Sequence, residues 1–145
     1  MDGYTIENIL KKDRFAQNLY RGICARDAYP LRFKKPGIFV INTDSAKNSG
    51  QHWVAAYVEK DATEFFDSFA QHPKDYGLDK FLRGRIACND RIVQGLFSIT
   101  CGYHCLFYAL QKSRGYSMTE IIQSYSDDLL WNDHIVEKFI KKNFF

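Results

Sequence analysis

Two short stretches of this chain carry residues that could do nucleophilic chemistry. The first is Gln94-Gly95-Leu96-Phe97-Ser98-Ile99-Thr100-Cys101-Gly102, a polar loop running into the apolar segment Leu106 to Leu110. Cys101 falls where a helix should begin. There, free backbone N–H groups and the positive end of the helix dipole favour thiolate over thiol. If that thiolate attacks a carbonyl carbon, its own N–H and a nearby side-chain amide can hold the oxyanion, and Gln94, seven residues upstream, is the available amide. Gly102 would let a substrate backbone pass close to the sulfur. The plainer alternative makes Cys101 a small buried hydrophobe and Gln94 a surface residue.

The second stretch holds the partners a reactive thiol needs. His52-Trp53-Val54-Ala55-Ala56-Tyr57-Val58 is β-prone and apolar on both faces, which predicts a central strand covered on each side, with a lone His at its mouth. Thr63 to Phe69 predicts a second strand after the charged turn Glu59-Lys60-Asp61. An antiparallel hairpin with its midpoint between Glu59 and Lys60 makes His52 and Asp67 lateral neighbours. A carboxylate that holds one imidazole nitrogen leaves the other for a nucleophile, so His52, Asp67 and Cys101 together suggest a Cys-His-Asp site.

The remaining elements must position these residues. Thr5 is expected to cap a helix running through Leu10 and Asp13 a second through Leu19, followed by an irregular connection over Arg21 to Lys35 and a buried strand over Gly37 to Asn42. A polar loop, including Lys47-Asn48-Ser49-Gly50, delivers the chain to His52. Leu78 to Leu82 suggests a brief helix and Arg91-Ile92-Val93 a strand ending at Gln94. Cys101 to Arg114 is the central helix, closed by Gly115. Ser117-Met118-Thr119-Glu120 is a capping box, and Asn132 or Asp133 could cap a last helix through Ile140. The fold class expected is α+β, with residues 1–145 as one domain and no linker or repeat.

At 145 residues, with 46% hydrophobic and 16% aromatic content, the chain can bury a core without metal or disulfides. No signal peptide or apolar run long enough for a membrane span is visible, so synthesis in the cytosol, reduced thiols and no secretion are expected. The four cysteines lack CxxC spacing, and although His104 lies between Cys101 and Cys105, two further converging ligands are not apparent, so no metal is expected. A net charge of +3, spread over short basic clusters, allows weak nucleic-acid binding without calling for it.

With His52-Trp53, Phe66-Asp67-Ser68 and Gln94 followed by Cys101-Gly102, the chain resembles the adenovirus-type and SUMO-protease superfamily of cysteine peptidases, in the order His, acid, Gln, Cys. Through Tyr20-Arg21-Gly22, Asp27, Pro30, Pro36-Gly37, Asn42-Thr43-Asp44 and Asn132-Asp133 it also resembles the maturation proteases of virophages, adintoviruses and Polinton elements. That resemblance implies a papain-like, adenain-like fold, with a mixed central sheet packed against the helix of the catalytic Cys and with flanking helices. It implies His52, Asp67 and Cys101 as the triad, Gln94 in the oxyanion hole, and Trp53 beside the His, narrowing the cleft in favour of glycine-rich backbones; Trp53 can equally be core. It further implies a thiol endopeptidase acting on viral capsid precursors, in the virion and in the cytoplasm or nucleus of the host cell, as a monomer. Two departures matter. Asp67 stands where the adenovirus enzyme has Glu, and that enzyme's activators, viral DNA and a viral peptide, are not carried over, so no cofactor is expected. The alternatives are a deconjugating isopeptidase for ubiquitin-like proteins, which needs a broad exosite, and a non-enzymatic basic module that binds nucleic acid or capsid.

Overall fold

The computed structural model describes residues 1–47 and 52–145, so the 48–50 part of the expected polar loop lies outside the described residues. Helix α1 (Gly3–Lys12) opens on Asp2, whose carboxylate accepts the Thr5 N–H at 2.8 Å; Asp2, not Thr5, is the cap. Its apolar positions Ile6, Ile9 and Leu10 are buried. Asp13 does cap the next turn, accepting from the Phe15 and Ala16 N–H groups, but the chain then makes a single 3-10 turn over Ala16–Asn18 rather than a helix to Leu19.

Among the described residues the sheet has five strands in sequence order: β1 (Tyr20–Ala25), β2 (Gly37–Asn42), β3 (Trp53–Val58), β4 (Ala62–Phe66) and β5 (Arg85–Cys88). Both outer pairs are parallel and the inner pairs antiparallel. The sheet is therefore mixed, with β3 at its centre and apolar residues packed on both faces. The expected strand at Arg91 to Val93 is absent; the chain makes its edge strand earlier, at Arg85–Cys88. Nor does Leu78 to Leu82 form a helix: the preceding 3-10 turn, Pro73–Tyr76, is capped reciprocally by His72 and Asp75, and Leu78 and Leu82 simply bury against the sheet.

On one face lies helix α2 (Cys101–Ser113), flanked by α1, α3 (Met118–Gln123) and α4 (Leu129–Phe144). The architecture is α+β, a mixed sheet packed against the helix that begins at Cys101. Phe66 of β4 stacks on Tyr108 of α2, with ring centroids 4.8 Å apart and planes 2° apart. At its far end α2 is tied to α1 by Arg114, which pairs with Asp13 at 2.8 Å. Gly115, at φ 93°, ends it in the left-handed region as expected. The Ser117–Glu120 capping box opens α3, whereas α4 is capped by Asp128, leaving Asn132 and Asp133 inside the helix and buried.

Candidate active site

His52 precedes β3 by one residue and Asp67 follows β4 by one. The β3–β4 pairing matches Val58 with Thr63 and Ala55 with Phe66, so the turn is the two-residue Lys60-Asp61 and the register is shifted from the expected one. Continued outward, this register sets Asp67 opposite Val54 and His52 opposite Phe69, making His52 and Asp67 diagonal rather than lateral neighbours. An aspartate still reaches across that diagonal: His52 Nε2 and Asp67 Oδ1 are 2.7 Å apart. The residue opposite, Phe69, stacks on the imidazole at 5.0 Å.

Asp67 is fully buried, and every one of its remaining hydrogen-bonding contacts orients it. The Phe69 N–H donates to Oδ1; the Gln71 N–H and the Tyr76 hydroxyl donate to Oδ2, the latter at 2.5 Å. Its backbone is gripped by Asn89, whose Oδ1 accepts the Asp67 N–H at 3.0 Å while Nδ2 donates to the Asp67 carbonyl at 2.7 Å. Tyr76 and Asn89 escaped the sequence reading, because nothing in a Tyr that ends a 3-10 turn or an Asn after a short edge strand distinguishes them from ordinary loop polars.

With Nε2 committed to Asp67, Nδ1 is the nitrogen left for Cys101. Burial on its own would raise the Cys101 thiol, but the hydrogen bond with His52, the Trp53 N–H, the imidazolium charge and the Gly102 N–H together hold it below the ordinary cysteine value. Burial would likewise lower His52, yet its hydrogen bonds to Asp67 and Cys101 and their charges push it up to about 9. Asp67, which burial would raise, is held low by His52 and Tyr76. The other thiols move the opposite way: burial pushes Cys24 up to about 11 and raises Cys88 and Cys105. Cys101 alone combines a lowered thiol with an imidazolium partner.

Gln94 is 1% exposed, so it is not the surface residue of the plainer alternative and belongs to the fold as well as to the cleft. Its Oε1 accepts from the Ser68 hydroxyl, and its Nε2 donates to the carbonyl and hydroxyl of Ser98, each at 3.1 Å. Cys101, His52, Gln94, Trp53, Tyr76 and Met1 share one cleft of about 1020 Å³. Trp53 lines it and donates its indole N–H to the Met1 carbonyl at 3.1 Å. Gly102 departs from expectation. It is buried, and a Cβ there would lie 3.1 Å from Met1 Cβ and 3.5 Å from Ile6, so its small size admits the N-terminal segment rather than a substrate. Ile99 also lines the cleft and is exposed. Among the described residues no group of three or more His, Cys, Asp or Glu converges as a metal site, and no helix is long and apolar enough to cross a membrane.

What this geometry defines is a thiolate–imidazolium couple steadied by a buried carboxylate, opening onto a cleft. Among solved structures the chain is similar to the ASFV pS273R protease, at 23% identity and a TM-score of 0.45, over 68% of this chain and 43% of that one. It is also similar to the Rickettsia bellii effector protein RickCE, at 16% identity and a TM-score of 0.42, over 75% of this chain and 46% of that one. It spans less than half the length of either. No family model and no curated protein sequence matches the chain.

The charges at the site make folding stability pH-dependent, with a maximum expected between about pH 6.5 and 9. His52, raised, contributes stability that is complete below its ordinary 6.5 and lost as pH rises through about 9. Cys101, lowered, contributes stability present above its ordinary 9.0 and lost as pH falls through its folded value, so between those limits the two trends offset. Asp67 and His104, the latter lowered mainly by burial, both lose their contributions on the acid side. Thermal melting from about pH 4 to about pH 10 checks this, and a midpoint that keeps climbing above about pH 9 would contradict it.

Proposed function

We propose that this chain is a cysteine endopeptidase of the adenovirus and SUMO-protease kind, with Cys101 as nucleophile, His52 as acid–base, Asp67 as its orienting carboxylate and Gln94 as oxyanion donor. The observation that carries the proposal is the 2.7 Å His52–Asp67 bond beside a thiol held low at the start of α2. In the reaction, Sγ bonds to the scissile carbonyl carbon and the oxygen takes up the electron pair. The imidazolium proton then goes to the leaving amine as the C–N bond breaks. Water, deprotonated by His52, attacks the thioester and releases the acid with the thiol restored.

Trp53 at the cleft wall supports small, glycine-rich backbones at the scissile bond. Within the same proposal, the substrates are capsid or virion precursor polypeptides of a virophage-like or Polinton-like particle, cleaved in the virion or the infected cell by a monomer that needs no metal. Nucleic acid would at most bind weakly to the basic clusters.

The test is incubation of purified wild type and Cys101→Ala with capsid precursors and with peptides containing Gly-Gly, the ends being read by mass spectrometry. Cleavage by wild type alone, at internal peptide bonds, is the expected result. Cleavage confined to isopeptide linkages would replace the endopeptidase with a deconjugating enzyme, and equal inertness of the two proteins would leave a binding module. Gln94→Ala should lower turnover by about a hundredfold, roughly 3 kcal/mol. Because Ser68 and Ser98 would lose their partner, it should also cost about 1–3 kcal/mol in stability. Urea denaturation and steady-state kinetics on that variant separate the two effects.

A further inference from the structure

Behind the nucleophile, a buried polar chain converges on one carboxylate that the proposed reaction does not use. Asp133, in the second turn of α4, accepts from the Thr100 hydroxyl at 2.8 Å and from His104 Nε2 at 2.8 Å, both on Oδ1. It also accepts the Gly95 N–H, 3.1 Å from Oδ2. Asp133 is 6% exposed and His104 fully buried.

The directions of these bonds come from proton counting. His104 is lowered by burial, against the pull of Asp133, and so is neutral; since Nε2 donates to the carboxylate, Nδ1 accepts from the Tyr125 hydroxyl at 3.0 Å. The one hydroxyl proton of Thr100 goes to Asp133, and the Ser98 hydroxyl, 3.0 Å from Thr100 Oγ1, shares its own proton between that oxygen and the Gly95 carbonyl at 3.1 Å. The Ser98 hydroxyl oxygen in turn accepts from Gln94 Nε2. A chain of contacts thus runs from Gln94 through Ser98 and Thr100 to Asp133, and a line of donation runs from Tyr125 through His104 to the same oxygen. A carboxylate at the end accepts every one of these donors; a neutral amide there could not.

We propose that Asp133 is a positioning residue for the oxyanion hole: its buried carboxylate anchors both ends of the 95–100 loop and so holds in place Ser98, whose carbonyl and hydroxyl accept from the Gln94 amide. The inference rests on the endopeptidase reading, in which Gln94 is the oxyanion donor. His104 and Tyr125 act at one remove, holding Asp133. The role differs from that of Asp67, which orients the imidazole, and the two separate by experiment because alkylation of a thiolate by iodoacetamide generates no oxyanion, whereas addition to an aldehyde does.

The experiment compares wild type, Asp133→Asn and Thr100→Val in three measurements: the iodoacetamide rate against pH, inhibition by a peptide aldehyde ending in Gly-glycinal, and kcat against KM on a peptide that the wild type cleaves. Asn at 133 puts an N–H₂ group among converging donors, so at least one of them loses its acceptor and the 95–100 loop loses an anchor. It should weaken aldehyde inhibition and lower kcat by about tenfold or more, with KM and the alkylation profile held within about twofold. Thr100→Val, nearly isosteric, breaks one link and should show the same pattern at about threefold to tenfold. It decides the matter if Asp133→Asn does not fold. Unchanged aldehyde inhibition in a folded variant overturns the inference and leaves the endopeptidase standing, as does a parallel fall in alkylation, which would place the effect on the thiolate. A wild type that alkylates at Cys101 yet neither takes the aldehyde nor cleaves overturns the endopeptidase reading and this inference together.

Discussion

His52→Ala should lower peptide turnover by about four orders of magnitude and Asp67→Asn by about three or more, with both proteins still folded. The alanine removes the imidazole that bonds Cys101, and the thiol returns toward its ordinary value, because burial then acts without the imidazolium to oppose it. Asn at 67 can still accept from His52, but it sets an N–H₂ where the Tyr76 hydroxyl and the Gln71 N–H both donate. Those donors are left unpaired and the imidazole loses its fixed orientation. The check is the rate of Cys101 alkylation by iodoacetamide against pH. Wild type should hold a plateau through neutral pH, while His52→Ala should give a single rise near or above the ordinary cysteine value. Superimposed profiles for wild type and both variants would uncouple His52 and Asp67 from the thiol.

Phe66→Ala should cost about 3–5 kcal/mol of stability, the range for emptying a fully buried aromatic site. Phe66 is fully buried, its ring lies flat on Tyr108 of α2, and its neighbour in the chain is Asp67. One side chain therefore sets the spacing between the strand that carries the carboxylate and the helix that carries the sulfur. Urea denaturation monitored by circular dichroism reads the loss directly, and a cost below about 1 kcal/mol would mean that the helix and sheet close over the cavity.

Where local chemistry dictates conformation, this chain is readable. A capping box at Ser117, a run of apolar β-formers at His52 to Val58 and a glycine after a helical stripe at Gly115 each specify one outcome, and each is found. What escaped depends on partners distant in sequence. Strand β1 is Tyr20-Arg21-Gly22-Ile23-Cys24-Ala25, half-buried throughout and interrupted by Arg and Gly, and it exists because β2 offers it a parallel edge. Strand β5 is four residues with two exposed, held only by β4. The hairpin register is decided by a two-residue turn, which composition alone does not distinguish from a three-residue one. Asp133 looks like a helix cap because Asp commonly is one; that it sits inside α4, facing His104 across the core, depends on Asp128 having taken the cap first. The thiol, imidazole and carboxylate that come together were legible by type, and the residues that hold them in place were legible only once the chain had folded.

The contact between Met1 and Trp53 has a practical side. The Met1 carbonyl is bonded to the indole, its side chain lies over Gly102, and the residue lines the cleft beside Cys101. Any polypeptide joined ahead of Met1, whether native sequence or a purification handle, would start from the cleft wall and compete for the same space as substrate. No residue of α4 lines that cleft and Phe145 is exposed, so a handle attached there is expected to leave the approach to the sulfur open.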